Sequence, residues 1–171
     1  TPFLIQAGVS PRGRDFAGRN AEGLFINALS PQEAEPVVKD VRAAAVRHGR
    51  KASDVKLFGI LGFVVGSTEE EARRLHEEIT DFQSIDANLA KQSVFLGYDF
   101  SQLDPKEPIG EIAKRPEGQE GIVGKLIAMS PNPQYTIGEL VRWFGNLRVV
   151  GTPEQIADHV EAWNDAGVDG M

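Results

Sequence analysis

The stretch Pro2-Phe3-Leu4-Ile5-Gln6-Ala7-Gly8-Val9-Ser10-Pro11-Arg12-Gly13-Arg14 runs a short apolar segment straight into a helix start. Residues 2–8 are brief, apolar and closed by glycine, the pattern of a buried strand. Ser10 is a favoured N-cap and Pro11 a favoured first helical residue, so a helix is expected to about Asn20. The same order recurs downstream. Residues 23–28 (GLFINA) form a second apolar run. Ser30-Pro31-Gln32-Glu33 then opens a long helix with Val37, Val41, Ala44 and Ala45 on one face, closing near Gly49. Residues 55–66 (VKLFGILGFVVG) are the strongest strand signal, long enough for two pieces, with Gly59 and Gly62 marking a bend or a close backbone approach. A helix follows from Ser67, its inner face Ala72, Leu75, Ile79 and Phe82, extending to about Gln92. Strand–helix alternation with no Asn-Gly or Asp-Gly hairpin between the runs predicts parallel βαβ units, hence an α/β protein.

Residues 97–133 differ in kind. Pro105, Pro108, Pro116, Pro131 and Pro133 break the stretch, and its apolar patches are short. It reads as a long excursion from the scaffold with one helix near 122–129. Regular structure resumes with a helix over 136–146 (Ile137, Leu140, Val141, Phe144), a short run at 147–150, and a helix from Thr152-Pro153 to about Ala166 with Ile156, Val160 and Trp163 inward. Gly167-Val168-Asp169-Gly170 stops that helix and starts a new strand just before Met171.

Composition removes several chemistries. The 171 residues carry 18 basic and 25 acidic side chains, a formal charge of −7, and no cysteine. Disulfides, thiolate nucleophiles and cysteine-based metal sites are excluded. The three histidines, His48, His76 and His159, lie far apart and form no HExxH pair, so no metal site is expected. The acidic balance argues against a nucleic-acid surface, and no apolar run approaches the ~20 residues of a membrane span. No signal peptide is recognisable, so the expected location is cytoplasmic. The chain is shorter than the roughly 250 residues of a complete (β/α)8 barrel.

The helix starts are not equivalent. Ser30 with Glu33, Ser67 with Glu70, and Thr152 with Gln155 match the capping box, in which a helix satisfies its own N-terminal amides. Ser10 has no Glu or Gln at the reciprocal position. Its start leaves donors free, beside Arg12, Arg14 and Arg19. A glycine-ended strand feeding such a helix can bind phosphate through N–H groups and the positive end of the helix dipole. The plainer reading, that Ser10 only caps a helix, stands beside this one. The pattern is neither a Walker A loop nor GxGxxG. His76 and His159 read as surface residues in charged helices, His48 as a cation at a helix C-terminus, and Trp143 and Trp163 as core.

Gln6-Ala7-Gly8-Val9-Ser10-Pro11-Arg12-Gly13-Arg14, with Phe16-Ala17 behind it, resembles the QAG-x-S-P-x-GR segment of the bacterial luciferase-like flavin monooxygenases. The nitrilotriacetate, dibenzothiophene-sulfone and long-chain alkane monooxygenase branch is the nearest in pattern. His48-Gly49-Arg50, the run from Val64 to Ala72, Gly97-Tyr98-Asp99-Phe100-Ser101, the run from Val149 to Asp158, and Trp163 ahead of residues 166–170 fit in the same order. The resemblance implies a partial (β/α)8 TIM barrel, with residues 1–171 as its C-terminal βα units and 97–133 as an insertion. It implies reduced FMN supplied by a separate flavin reductase through diffusion, O2 as co-substrate, and oxygenation of a small organic molecule. It places the flavin phosphate at Ala7, Gly8, Val9 and Ser10, where Val9 replaces a second serine found in many relatives. It leaves room for a homodimer and names no catalytic residue here, because the family's catalytic side chains lie mostly on early strands without a counterpart in this chain. The chain alone is therefore expected to be inactive and to bind reduced FMN weakly or not at all. Two other readings accompany it: an inactive truncated or structural relative, and a deazaflavin-dependent oxidoreductase of the same superfamily, which the QAG-x-S-P segment disfavours.

Overall fold

A computed structural model describes residues 2–171, apart from the side chain of Glu117. The opening segment forms strand β1 (Ile5–Ala7) and helix α1 (Pro11–Asn20), followed by β2 (Gly23–Ile26) and α2 (Pro31–Arg47). The third apolar run divides into β3 (Lys56–Gly59) and β4 (Phe63–Val65). Then come α3 (Glu69–Asp81), α4 (Ile85–Leu96), α5 (Ile109–Ile112), α6 (Pro116–Gln119), α7 (Gly121–Ala128), α8 (Ile137–Gly145), β5 (Val149–Gly151) and α9 (Pro153–Asp165). The chain forms two compact units, Thr1–Ala72 with Val149–Met171, and Arg73–Arg148.

In the first unit β1, β2 and β3 lie side by side in parallel, with Ile5 opposite Gly23 and Gly23 opposite Lys56. The expected final strand is present as a bridge between Gly170 and Phe58 on the other side of β3. β4 pairs in parallel with β5. Alternation along the strands sends Leu24, Ile26 and Leu57 into a core shared with Ala17, Val38, Val41 and Trp163, all almost fully buried. Gly18 lets α1 and α2 touch, because a Cβ there would lie 2.5 Å from the Ala44 Cβ. Asp169 stitches the end of the chain to β3: its carboxylate accepts from the Leu57 N–H at 3.0 Å and from the Lys56 ammonium at 3.0 Å.

The second unit is helical, with a core of Leu89, Phe100, Ile109, Ile112, Val123, Leu126, Ile137, Leu140 and Val141. Several expectations are corrected here. The helix from Ser67 does not continue to Gln92; it stops at Asp81, and Ser84 caps a new helix by accepting from the Ala87 N–H at 3.3 Å. Phe82, expected inward, is 92% exposed, and Ile79 and Val160 are exposed as well. The first strand, expected buried, is exposed too: β1 lies at the edge of its sheet, and Phe3, Leu4 and Ile5 are all exposed. Residues 97–133 are not a bare excursion. Phe100 is buried on a turn capped by Asp99, Ile109 and Ile112 on α5 behind Pro108, and Val123 and Leu126 on α7, the helix expected near 122–129. A four-residue turn is too short to show a period, so its apolar residues look scattered in sequence.

Candidate functional site

Gly8 ends β1 with φ +140°, a conformation that L side chains rarely adopt, and the chain turns there into the Ser10 cap. Gly13, one turn into α1, sits against that bend; a Cβ at Gly13 would lie 2.6 Å from the Gly8 carbonyl oxygen. Gln6 braces the same turn, its side-chain amide donating to the Gly13 carbonyl at 3.2 Å.

Ser10 Oγ accepts from the Gly13 N–H at 3.1 Å, and the Ser10 carbonyl accepts from the Arg14 N–H at 2.9 Å. Pro11 has no N–H. Among the described residues the amides of Val9, Ser10 and Arg12 have no hydrogen-bond acceptor. The Ser10 hydroxyl accepts in the cap, so its proton is available to a further acceptor. No acidic residue occupies the first turn of α1, whereas α2, α3, α4, α8 and α9 each carry one or more. Free amides, a free hydroxyl and the positive end of a helix dipole suit this exposed turn to an anion, although Gln6 Oε1 beside it is a buried acceptor with no partner.

Of the residues expected at this site, Gly8 and Ser10 shape it and Val9 contributes its amide. The Val9 side chain is partly buried and packs against the core of the first unit. Ala7 is the last residue of β1, in register with Phe25. Arg12 is exposed, in keeping with a solvated helix charge. Arg14 is not a solvated charge. It is half-buried, its Nε donates to the Val9 carbonyl at 2.7 Å, and its Nη1 meets the Asp40 carboxylate on α2 at 2.5 Å. Sequence reading missed both Gln6 and the Arg14–Asp40 pair, since nothing local links residue 14 to residue 40.

The starts of α2, α3, α8 and α9 close on themselves, whereas α5 and α7 have no side-chain cap bond. Thr152 and Gln155 form the expected box, with the Thr152 N–H reaching Gln155 at 3.0 Å. Ser30 accepts from the Glu33 N–H at 3.3 Å, while the Glu33 carboxylate reaches back to the Leu29 N–H. The start of α3 shifts by one residue: Thr68, not Ser67, accepts from the helix, at the Glu71 N–H, and Glu71, not Glu70, returns to Ser67. Thr136 and Glu139 form a further box.

His76 is not a plain surface residue. It lines a cleft of about 550 Å³ with Thr80, Tyr135, Arg142, Trp143 and Arg148, and its buried Nδ1 has no partner. Burial, and then the charge of Arg148, hold its imidazole below the usual 6.5. Trp163 is core as expected, its indole N–H donating to His159 at 3.0 Å, whereas Trp143 is only partly buried. His48 ends α2 and bonds Asp15 at 3.1 Å. Among the described residues no group of three His, Asp or Glu could hold a metal ion, and no helix is long and apolar enough to cross a membrane.

The luciferase-like monooxygenase family model matches residues 1–170. The chain belongs to that family. It is 33% identical over 176 residues to the dimethyl-sulfide monooxygenase of Hyphomicrobium sulfonivorans, covering 100% of this chain and 36% of that protein. It is 31% identical over 179 residues to an FMNH2-dependent dimethylsulfone monooxygenase of Pseudomonas fluorescens (strain Pf0-1), covering 98% of this chain and 40% of that protein. The crystal structure of DmoA from H. sulfonivorans superposes with a TM-score of 0.84 at 32% identity, over 99% of this chain and 36% of that one. Monooxygenases named for long-chain alkanes, nitrilotriacetate and dibenzothiophene sulfone are also relatives, in line with the branch read from the sequence. The chain thus spans 35–40% of the length of the relatives described.

Proposed function

We propose that this chain is part of a two-component flavin monooxygenase and that the turn over Ala7, Gly8, Val9 and Ser10 holds the phosphate of reduced FMN. The single observation that carries the reading is the set of unpaired amides at Val9, Ser10 and Arg12, at a helix start with no carboxylate at its cap or in its first turn. The donor set fits a phosphate: amide N–H groups and a serine hydroxyl, with no competing anion in the first turn. The turn also follows the C-terminal end of a parallel strand, where ligands bind in barrel folds. In this reading β1, β2, β3 and the strand at Gly170 are consecutive strands of a (β/α)8 barrel, supported by their parallel order. Reduced flavin, delivered by a separate reductase, supplies the reaction with O2 that puts an oxygen atom into a small organic substrate. The residues of this chain bind and orient the phosphate end and carry no assigned chemical step.

The test is a 15N-resolved titration of the 171-residue chain with FMN and with riboflavin, which lacks the phosphate. FMN is expected to bind weakly and to shift the amides of Val9, Ser10 and Arg12, while riboflavin leaves them in place. Ser10→Asp, which puts a negative charge at the cap, is expected to abolish the FMN-specific shifts. Equal shifts with both ligands, or shifts that survive Ser10→Asp, overturn the assignment.

A further inference from the structure

We propose that Arg14 positions the phosphate-binding turn and is not itself a phosphate ligand, an inference that rests on the proposed FMN site. The family of basic residues near Ser10 invites the opposite view, in which the guanidinium meets the phosphate directly. The geometry points away from that. Arg14 Nε is committed to the Val9 carbonyl at 2.7 Å, and Nη1 to the Asp40 carboxylate at 2.5 Å. Its charge is therefore balanced on the α2 side, and its fork is held in one orientation with 26% of the side chain exposed.

What that fork does follows from the planarity of the peptide. Among the described residues there are no cis bonds, so in the Val9–Ser10 unit the carbonyl and the N–H point in opposite directions. By drawing the Val9 oxygen towards itself, Arg14 turns the Ser10 N–H the other way. The same pull removes a carbonyl oxygen, which would repel an anion, from the mouth of the turn. Gly8 gives the chain the freedom to make this rotation, because its φ of +140° is unfavourable for a residue with a side chain. Gln6 supports the turn from the strand side through the Gly13 carbonyl. Arg14 and Asp40 thus orient a donor through the backbone, from a distance of one peptide unit.

The experiment is the FMN-to-riboflavin affinity ratio of the full chain, measured by the same amide titration for wild type, Arg14→Lys and Asp40→Asn. A lysine keeps the charge but cannot grip the Val9 carbonyl and Asp40 together. Arg14→Lys is expected to weaken FMN by roughly tenfold or more, the scale of one lost charge-assisted hydrogen bond, with riboflavin binding unchanged. Asp40→Asn is expected to weaken FMN by a smaller factor in the same direction. Amide shifts outside residues 6–14 and 40 should match wild type, which reports an intact fold. FMN affinity retained in Arg14→Lys, or increased in Asp40→Asn, would make Arg14 a direct ligand and overturn the proposal. An equal loss of both ligands would reduce Arg14 to general stability and overturn it as well. A wild-type chain with no preference for FMN would instead remove the phosphate site itself, and the positioning role with it.

Discussion

The two compact units of this chain are built on opposite principles. In the first, side chains close contacts between residues more than a hundred positions apart: Arg42 donates to the Gly167 carbonyl at 2.7 Å, and Asp169 receives the Leu57 N–H and the Lys56 ammonium. In the second, Phe100, Ile109, Ile112, Val123, Leu126 and Ile137 meet within a few dozen residues, on helices as short as four residues. The first unit has continuous apolar runs and a buried tryptophan, and its order is imposed by a parallel sheet whose neighbouring strands are joined through helices. The second relies on proline and hydroxyl caps to place single apolar residues. Long-range pairing yields a rigid frame on which a turn such as Gly8–Ser10 can be held. The second unit has one distant pairing of its own, where Arg142 of α8 donates to the Thr80 carbonyl of α3 in the cleft beside His76.

Three measurements press on that contrast. The largest effect is expected from Trp163→Ala in the first unit, where a fully buried ring that packs beside Gly59 would leave a cavity. A loss of about 3–5 kcal/mol in urea unfolding is expected. A loss under about 1 kcal/mol would show that this core is not close-packed, and would erase the distinction between the units.

Asp169→Asn comes next. Burial raises the carboxyl, but the Leu57 N–H and Lys56 outweigh it, so its pKa lies below the ordinary 3.8. A depressed carboxyl adds stability above its unfolded value and loses it as pH falls through the folded value. Asp169→Asn should therefore cost about 1–3 kcal/mol at neutral pH, with wild type and variant converging in strong acid. Unfolding midpoints that differ equally at both pH values would mean that the ion pairs and charge-assisted bonds contribute nothing.

The smallest effect belongs to the second unit. His76 is held neutral below the usual 6.5, so below that pH the unfolded chain takes a proton that the folded chain resists. Stability should fall as pH drops from 6.5 towards the folded pKa and then level off. His76→Gln should flatten that slope, read as the midpoint of unfolding between neutral and mildly acidic pH. An unchanged slope would assign the pH dependence to another group.

Much of the first unit is legible in the residues. Each of its first two helices opens with Ser-Pro, and each strand before them is a run of apolar residues ended by a turn; β2 is buried as that pattern predicts, whereas Ile5 of β1 is exposed at the edge of the sheet. The cap comparison isolates Ser10 because a missing Glu or Gln is visible in one line of sequence. The break at 82–84 is less visible. Phe82 continues the helical period that Ala72, Leu75 and Ile79 establish, yet Ser84 captures the next helix and leaves Phe82 exposed. The core value of Phe100 or Ile112 is hidden for a related reason, since neither belongs to a stretch long enough to reveal a face. His76 looks solvated because its neighbours in sequence are charged; its burial comes from other helices.

By itself, then, the sequence determined the parallel α/β frame, the family, and the turn at Gly8–Ser10 as the place with spare donors. These depend on local patterns of burial, glycine and capping that act within a few residues. Only the tertiary structure decided that Phe100, Ile109 and Ile112 join a buried core, that Val9 packs against the core of the first unit, and that Arg14 is held between Val9 and Asp40. Those outcomes depend on which distant residue arrives at each side chain, and side-chain bonding between α1 and α2 has no local signature.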